Sequence, residues 1–335
     1  MDPAWTIDAQ TLDEAAAVIR RGELVVFPTE TVYGLGANAF DARAVAGVFA
    51  LKGRPRFDPL IVHLADVAQL ADLAAVIPAD AWRLAEEFWP GPLTLVLPKR
   101  SCVPDLVTAD LPTVAVRLPD HPVARQLIRA AGVPLAAPSA NRFGRVSPTT
   151  AQHVRDSFGD QTPLVLDAGP CRVGIESTVV SLLGERPRLL RPGGIPREAI
   201  ERLAGPIAVA AAPHAPGPQG AAAPGMLSSH YAPQAPLRLA PHAASPAAAV
   251  RPPDDRAWGL LCLQAPAAFE GFAAVETLAP DGDLRTAAAN LFAALRRLEK
   301  QPLAGIYALP VAEEGLGAAI MDRLRRAAAD RPADA

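Results

Sequence analysis

The sequence predicts an α/β protein of the mixed α+β type, built from two domains. Short apolar runs alternate with stretches of helical periodicity, which is the pattern of sheets covered by helices. The 335 residues exceed what a single core usually holds. A stretch rich in proline, alanine and glycine separates two such halves. We therefore expect a first domain at 1–204, a linker at 205–237 and a second domain at 238–335.

The first half is predicted to alternate helices with strands. Thr11 is the expected N-cap of the first helix, and Gly22 follows its end. Trp89 to Pro92 is a proline-rich turn before a strand. Helices are expected at 12–21, 41–51, 67–75, 80–88 and 122–131, and a further helix is expected to begin near 149. Strands are expected at 24–27, 93–97, 113–118, 135–137 and 165–167, and a further strand is expected to end near 182.

The second half is shorter and alternates in the same way. Strands are expected at 258–263 and 305–309, and helices at 285–298 and 317–328. This alternation is typical of a small Rossmann-like unit with a parallel sheet. The unit carries no motif that would predict a site of its own.

Composition limits the class of protein. Half of the residues are hydrophobic, a fifth are charged and the net charge is −3, which suits a globular protein and disfavours nucleic-acid binding by bulk charge. The cysteines, Cys102, Cys171 and Cys262, lack pair spacing, as expected in a reducing compartment. Neither a signal peptide nor an apolar run of membrane-spanning length is seen. A cytoplasmic location is the expectation.

A basic stretch at residues 52–63 is the first candidate ligand site. Lys52, Arg54 and Arg56 stand within five residues, among a glycine and two prolines that exclude a regular helix. The apolar run 60–62 that follows predicts a buried strand. The cations are therefore expected on a bent loop that enters the core, where they could bind a polyphosphate or a carboxylate. The alternative is a basic surface turn.

The glycines at 34–39 allow a second interpretation. Gly34-Leu35-Gly36-Ala37-Asn38-Ala39 fits a loose G-x-G-x-x-A dinucleotide fingerprint. Polar and turn residues separate it from the preceding strand, whereas the fingerprint requires a tight strand-to-helix turn. A nicotinamide site is therefore disfavoured. The chain also lacks G-x-x-x-x-G-K-[ST], so a nucleotide would be held in another way.

Further polar segments add hydroxyl groups and cations. Ser139, Asn141 and Ser147 follow small residues that allow close approach to the backbone. A turn at 174–177 leads into a strand, and Arg191 lies at the end of another. The histidines show no metal-ligand spacing; they are His63, His121, His153, His214, His230 and His242.

Taken together, these motifs resemble the YrdC/Sua5 family. The paired signature is Lys52-x-Arg54 with Ser139-x-Asn141. The resemblance runs in unbroken order from about residue 10 to 200, and the remainder is similar to the longer Sua5 form with a linker and a C-terminal domain. Further matching segments are Thr29 to Leu35, Pro59 to His63, Trp89 to Thr94 and Gly174 to Thr178.

The resemblance implies a fold and an activity. The fold is a YrdC-like three-layer domain with a twisted mixed sheet, followed by a smaller Rossmann-like Sua5 domain. The activity is that of a nucleotidyltransferase, L-threonylcarbamoyladenylate synthase, which converts L-threonine, bicarbonate or CO2, and ATP into threonylcarbamoyl-AMP and pyrophosphate. The product passes to the machinery that forms t6A in tRNA, so direct tRNA binding is not required. Mg2+ is expected to arrive on the ATP phosphates rather than at a protein metal site.

The resemblance also implies the site residues. Asp58 departs from the family, in which this position is often asparagine. The residues implied as catalytic are Lys52, Arg54, Ser139 and Asn141. Those implied to bind threonine are Thr31, His63, Arg117, Ala137 and Ser177, and those implied to bind ATP are Arg54, Asp58, Thr113, Ser139, Ser147, Arg191 and Tyr231.

Alternatives remain for the function and for the linker. The chain could be an RNA-binding module, although few aromatic residues lie beside its cations, or a carbamoyl-transfer enzyme with another acceptor. The linker could be a passive tether. We instead expect Ser228 to Pro233 to fold over the first domain's site, because Tyr231 could offer a ring to an adenine and a hydroxyl to a phosphate.

Overall fold

A computed structural model of the chain describes residues 7–210, 230–241 and 250–329. None of the helices in these ranges is long and apolar enough to cross a bilayer. Helices α1 to α10 are Ala9–Arg20, Ala42–Lys52, Leu70–Leu73, Ala79–Phe88, Asp105–Thr108, Pro122–Ala131, Ala151–Phe158, Arg197–Ala204, Leu284–Glu299 and Gly317–Ala328. Strands β1 to β14 are Val25–Phe27, Gly34–Asn38, Ile61–His63, Leu93–Pro98, Thr113–Arg117, Leu135–Ala136, Leu164–Val165, Thr178–Ser181, Arg188–Arg191, Ala208–Val209, Leu237–Leu239, Trp258–Cys262, Phe272–Thr277 and Gly305–Ala308.

A ten-stranded mixed sheet forms the first unit. Its strand order is β10-β9-β8-β4-β5-β3-β6-β2-β1-β7. The sheet contains both parallel pairs, such as β3 with β5, and antiparallel pairs, such as β1 with β2. The predicted mixed α/β class with a mixed sheet is therefore confirmed.

Helices bury both faces of this sheet. Successive side chains of β1 point to opposite faces, so Val25 and Phe27 join the core beneath α1 and α6. Val26 joins the core beneath α2 and α4 on the other face. The central strands are buried almost throughout, which is why their sequences are apolar runs rather than alternating patterns.

A second, four-stranded sheet has the order β11-β14-β12-β13, and its strands are all parallel. This agrees with the predicted Rossmann-like unit. Helices α9 and α10 supply its core, but the same cluster takes in Val32, Val146, Ile175 and Tyr231 from outside the unit. The two units therefore share one apolar interface.

A glycine sets how closely the units approach. Gly174 has a φ of +72°, and a Cβ there would lie 2.4 Å from the Cα of Ala289 in α9. Any side chain at this position would both strain the turn and push α9 away. The turn that leads into β8 is thus one of the places where the second unit packs against the first.

Several element predictions need correction. The first helix begins at Ala9 and is capped by Asp8, whose Oδ1 accepts from Thr11 N at 2.9 Å, so Thr11 is not the N-cap. The helix expected at 67–75 is a 3-10 turn followed by the short α3. Helix α8 and strand β13 were not predicted.

The glycines at 34–39 do not form a dinucleotide turn. They lie in β2, which pairs antiparallel with β1. A Cβ at Gly36 would lie 2.7 Å from the Phe27 ring, so this glycine provides room for an aromatic side chain within the sheet. The geometry lacks the strand-to-helix turn of the fingerprint.

Candidate active site

A cavity lies at the end of the central strands, beside the second unit. Its walls come from the loop before β2, the basic loop before β3, the segment after β6, the start of β8, the end of β9 and residues 230–231. The structure brings many of the predicted site residues to this cavity. Those in its lining are Thr31, Arg54, His63, Arg117, Ala137, Ser139, Ser177, Arg191 and Tyr231.

Lys52 is not on a loop, contrary to the sequence-based prediction. It is the last residue of α2 and is 2% exposed. Its Nζ donates to the carbonyl of Ser139 at 2.6 Å and to the carbonyl of Asn141. Burial, together with nearby Arg54, lowers the pKa of Lys52 well below its usual range. The amine therefore fastens the segment after β6 from behind the cavity wall.

Arg54 does lie on the loop and reaches the cavity. Its Nε donates to the carbonyl of Asp58 at 3.0 Å and its Nη2 to that of Pro59 at 2.8 Å. Nη2 also lies 2.9 Å from the Asp58 carboxylate. Asp58 is fully buried behind the arginine and is not in the cavity lining. Asp58 is thus a partner of Arg54 in this structure, and its expected contact with ATP remains a prediction.

Arg117, at the end of β5, sits in a polar corner of the cavity. Nη2 lies 2.6 Å from the carboxylate of Glu30, and Nη1 donates to the Thr31 hydroxyl at 2.9 Å. Nε donates to the carbonyl of Gly91 at 3.3 Å. Glu30, which was not singled out in the sequence, is fully buried. The guanidinium is therefore fixed in one orientation before a ligand binds.

His63, at the end of β3, is a neutral ligand-binding candidate. Burial, and then the charge of Arg117, lowers its pKa to about 3. Nδ1 lies 3.2 Å from the carbonyl of Ile61. Because a carbonyl can only accept, this contact favours the tautomer with the proton on Nδ1, which leaves Nε2 as an acceptor.

The segment after β6 contributes backbone more than side chains. Ala137 N donates to Ile61 O at 2.9 Å, which ties the segment to β3. Asn141 is buried outside the cavity lining, and its Nδ2 donates to the carbonyls of Arg142 and Arg145. Asn141 and Lys52 therefore hold the loop that presents Ser139 to the cavity.

Arg191 and Ser177 form a wall of the cavity. Nη2 of Arg191 donates to the Ser177 carbonyl at 2.9 Å and to its hydroxyl at 3.2 Å. The same hydroxyl lies 2.8 Å from that of Thr94 on β4. Gly193 allows this packing, since a Cβ there would lie 2.4 Å from the carbonyl carbon of Ser177.

Besides Asp58, two more residues expected to contact ATP lie outside the lining. Thr113 is half-buried at the start of β5, opposite Pro98. Ser147 is buried, and its hydroxyl donates to Oε1 of Glu176 at 2.6 Å. Glu176 itself lines the cavity and was not predicted.

The described end of the linker forms part of the cavity. His230 and Tyr231 are buried and line it. The Tyr231 ring stacks on Phe292 of α9 with 5.5 Å between centroids, and its φ is +63°. Ser228 and Ser229 lie outside the described residues. A tyrosine held in the left-handed region is a strained arrangement, and such arrangements are common at functional sites.

Acidic groups at the cavity are engaged by arginines. Asp58, Glu30 and Glu176 pair with Arg54, Arg117 and Arg323, respectively. Within residues 7–210, 230–241 and 250–329, no group of three histidines, cysteines or carboxylates could hold a metal ion. The polar groups of this site suit a charged ligand with carboxylate and phosphate groups.

Two family models match the chain. The Sua5/YciO/YrdC model, described as Telomere recombination, matches residues 17–193. A model described as Threonylcarbamoyl-AMP synthase, C-terminal domain, matches residues 195–329. The two matches together take in both sheets.

Curated relatives are similar over nearly the whole chain. Threonylcarbamoyl-AMP synthase of Pyrococcus abyssi is 44% identical over 328 residues, which cover 95% of this chain and 94% of the relative. The protein of the same name from Bacillus subtilis is 43% identical over 344 residues, covering 98% and 96% of the two chains.

Solved structures are similar over the same extent. The crystal structure of Pyrococcus abyssi Sua5 complexed with L-threonine superposes with a TM-score of 0.86 at 42% identity, covering 96% of this chain and 95% of that one. A variant of that protein, with a histidine and a tyrosine replaced by alanine, superposes with a TM-score of 0.87 at 41% identity over 97% and 95% of the chains.

Proposed function

Since this chain belongs to the Sua5/YrdC family, we propose that it is a threonylcarbamoyl-AMP synthase, which consumes L-threonine, bicarbonate or CO2, and ATP. One observation carries the proposal: a single cavity holds a fixed arginine suited to a carboxylate beside two arginines suited to phosphates. We call its two parts the threonine side, with Thr31, His63, Arg117, Ala137 and Ser177, and the nucleotide side, with Arg54, Ser139, Arg191 and Tyr231 in the lining and Ser147 behind it.

On the threonine side, Arg117 binds the substrate carboxylate. Its pairing with Glu30 and its bond to the Thr31 hydroxyl hold the guanidinium in place, so little side-chain entropy is lost when a ligand arrives. The hydroxyls of Thr31 and Ser177 and the acceptor Nε2 of His63 are candidates to bond the threonine hydroxyl. The methyl of Ala137 offers an apolar contact.

On the nucleotide side, Arg54 and Arg191 neutralise the phosphates. The threonine amine attacks CO2 and loses a proton to give a carbamate. A carbamate oxygen then attacks the α-phosphorus, forming a P–O bond while the bond to the β-phosphate oxygen breaks and pyrophosphate leaves. The protein supplies no covalent nucleophile; it orients the reactants and stabilises charge. Residues of both sides line one cavity, which supports this assignment.

The remaining expectations concern partners and location. Because the carboxylates at the cavity are paired with arginines, we propose that Mg2+ enters on the ATP phosphates rather than in a protein cage. We propose further that the product passes to the enzymes that form t6A in tRNA. ATP and tRNA coexist in the cytoplasm, so we place the enzyme there.

A panel of amino acids tests the proposal. The protein is mixed with ATP, Mg2+ and bicarbonate, and pyrophosphate release is measured with L-threonine, L-serine, glycine or no amino acid. Release that requires both threonine and bicarbonate is expected, with sharp loss for analogues lacking the hydroxyl, because a polar group would be left unpaired. Equal release with every amino acid would remove threonine as the substrate and favour carbamoyl transfer to another acceptor. No release with any amino acid would favour RNA binding without turnover.

A further inference from the structure

Arg323, in the second unit, contacts residues that line the cavity of the first. It lies on α10 and is fully buried. Nε donates to Oε2 of Glu176 at 2.8 Å, and Nη1 donates to the carbonyl of Pro192 at 2.9 Å. Nη1 also donates to Asp322 at 2.7 Å, on the same helix. One guanidinium thus joins two segments of the first unit to α10.

The same guanidinium lies against Tyr231. Its central carbon is 5.2 Å from the centroid of the tyrosine ring. Glu176, the other partner of Arg323, also contacts Ser147: its Oε1 accepts a hydrogen bond from the Ser147 hydroxyl at 2.6 Å. Two residues of the nucleotide side, Ser147 and Tyr231, are therefore held by Arg323, directly or through one carboxylate. The described contacts of Arg323 include none with the threonine side.

The ion pair between Arg323 and Glu176 also affects the charge of the cavity. Glu176 is buried and lines a cavity whose nucleotide side must accept phosphates. Without a partner, its carboxylate would repel them, and a buried unpaired charge is strongly unfavourable. Arg323 neutralises that carboxylate while its planar fork fixes the geometry.

We propose that Arg323 is a positioning residue for ATP: it neutralises Glu176 and holds Tyr231 and Ser147 in the geometry that the nucleotide requires. The second unit would then contribute to substrate binding through this side chain. This inference rests on the proposed function, because it deepens the account of the same site.

The test separates the Michaelis constants of the two substrates. Arg323→Met removes the charge and the planar fork but keeps an unbranched side chain, and Arg323→Lys keeps the charge without the fork. We expect Arg323→Met to raise the KM for ATP by about tenfold or more and to change the KM for threonine by less than about threefold. Arg323→Lys should fall between Arg323→Met and the wild type, because it retains the charge.

A double variant identifies the role of charge. In Glu176→Gln with Arg323→Met, the uncompensated carboxylate is gone, so the KM for ATP should return part of the way towards the wild-type value. A double variant with the same KM as Arg323→Met, or a higher one, would refute charge compensation and with it the proposal as stated.

A matched control separates positioning from the docking of the units. Arg296 on α9 is also buried and also crosses the interface, where Nη2 donates to the Val146 carbonyl at 2.6 Å and to Ser157 at 3.0 Å. Its Nε donates to the Ser147 backbone carbonyl at 3.4 Å, but its described contacts include none with Glu176 or Tyr231. Arg296→Met should lower the melting temperature about as much as Arg323→Met does, and it should leave the KM for ATP within about threefold of the wild type. If both variants raised the KM for ATP equally, Arg323 would only hold the two units together and would not position ATP.

The wild type is assayed first under the same conditions. Absence of threonine-dependent pyrophosphate release in the wild type would refute the proposed function, and the positioning role would fall with it. An active wild type with an unchanged Arg323→Met variant would refute only the positioning role.

Discussion

The threonine side of the cavity lies wholly within the first sheet and its loops, whereas the nucleotide side is completed by residues held from the second unit. Arg117 takes its contacts from Glu30, Thr31 and Gly91, all in the first unit. Tyr231 instead packs between Phe292 and Arg323 of the second unit. If the proposed assignment holds, the threonine side is built by one fold, and the nucleotide side depends on how two folds meet.

The largest expected effect comes from Arg54, the loop cation on the nucleotide side. Arg54→Met should reduce kcat/KM by an amount equivalent to about 2–4 kcal/mol, because a fixed charge that stabilises the phosphates is lost. Arg56→Met is the matched control, since Arg56 is exposed two residues away on the same loop. Steady-state rates of pyrophosphate release measure both, and comparable losses in the two variants would contradict a specific role for Arg54.

The next effect tests the threonine side. Arg117→Met should raise the KM for threonine by the equivalent of about 1.5–3 kcal/mol, the value of hydrogen bonds to a charged group, and should change the KM for ATP far less. Arg125→Met serves as control, because Arg125 donates to the Ala65 carbonyl and is not in the cavity lining. Equal changes in both KM values would show that the two sides are not separable.

Lys52→Met tests a side chain that holds the loop from behind. Loss of its bonds to the Ser139 and Asn141 carbonyls should reduce kcat/KM by the equivalent of about 1–2 kcal/mol through misplacement of Ser139. Circular dichroism checks that the variant is folded. A folded variant with wild-type kinetics would show that the loop keeps its place without the lysine.

The pH dependence of stability tests the burial of His63. Its folded-state pKa of about 3 lies below the unfolded value of about 6.5. The unfolded chain therefore takes up the proton first, and stability that is present above pH 6.5 is lost as the pH falls towards 3. The loss from this group approaches about 1.4 kcal/mol per pH unit. Denaturant unfolding should show a shallower pH slope for His63→Gln, and an identical slope would contradict the assignment.

The smallest effect is expected at the rim of the interface. Lys300 pairs with Asp156 at 2.7 Å, and the lysine side chain is mostly exposed. Lys300→Ala should change the free energy of unfolding by less than about 1 kcal/mol and leave both KM values unchanged. A large change in the KM for ATP would mean that any weakening of the interface disturbs the nucleotide side. The effect of Arg323 would then not be specific to that residue.

The fold class and the family could be predicted from the sequence because both depend on local patterns. Buried strands such as β4 and β12 stand out as apolar runs between turn residues. Helix α10 was predicted with its observed bounds, Gly317–Ala328. The family resemblance, drawn from the motifs around Lys52 and Ser139, is confirmed by matches over both units.

The sequence did not reveal the pairs that hold the site together. Glu30, Glu176 and Arg323 are distant in the chain and carry no motif that links them, so only the tertiary structure brings them together. The position of Lys52 was predicted wrongly because Gly53 and Pro55 suggested a bent loop. In the structure, α2 ends at Lys52, and Gly53 caps it in the left-handed conformation. The roles assigned to individual site residues, including Thr113, remain predictions.

The most direct measurement identifies the product itself. The protein is incubated with ATP, L-threonine and carbon-13 bicarbonate, and the nucleotides are analysed by mass spectrometry while pyrophosphate is quantified. The account predicts threonylcarbamoyl-AMP that carries one labelled carbon, with one pyrophosphate released per molecule formed. Release of AMP or ADP without a labelled, threonine-containing nucleotide would contradict it.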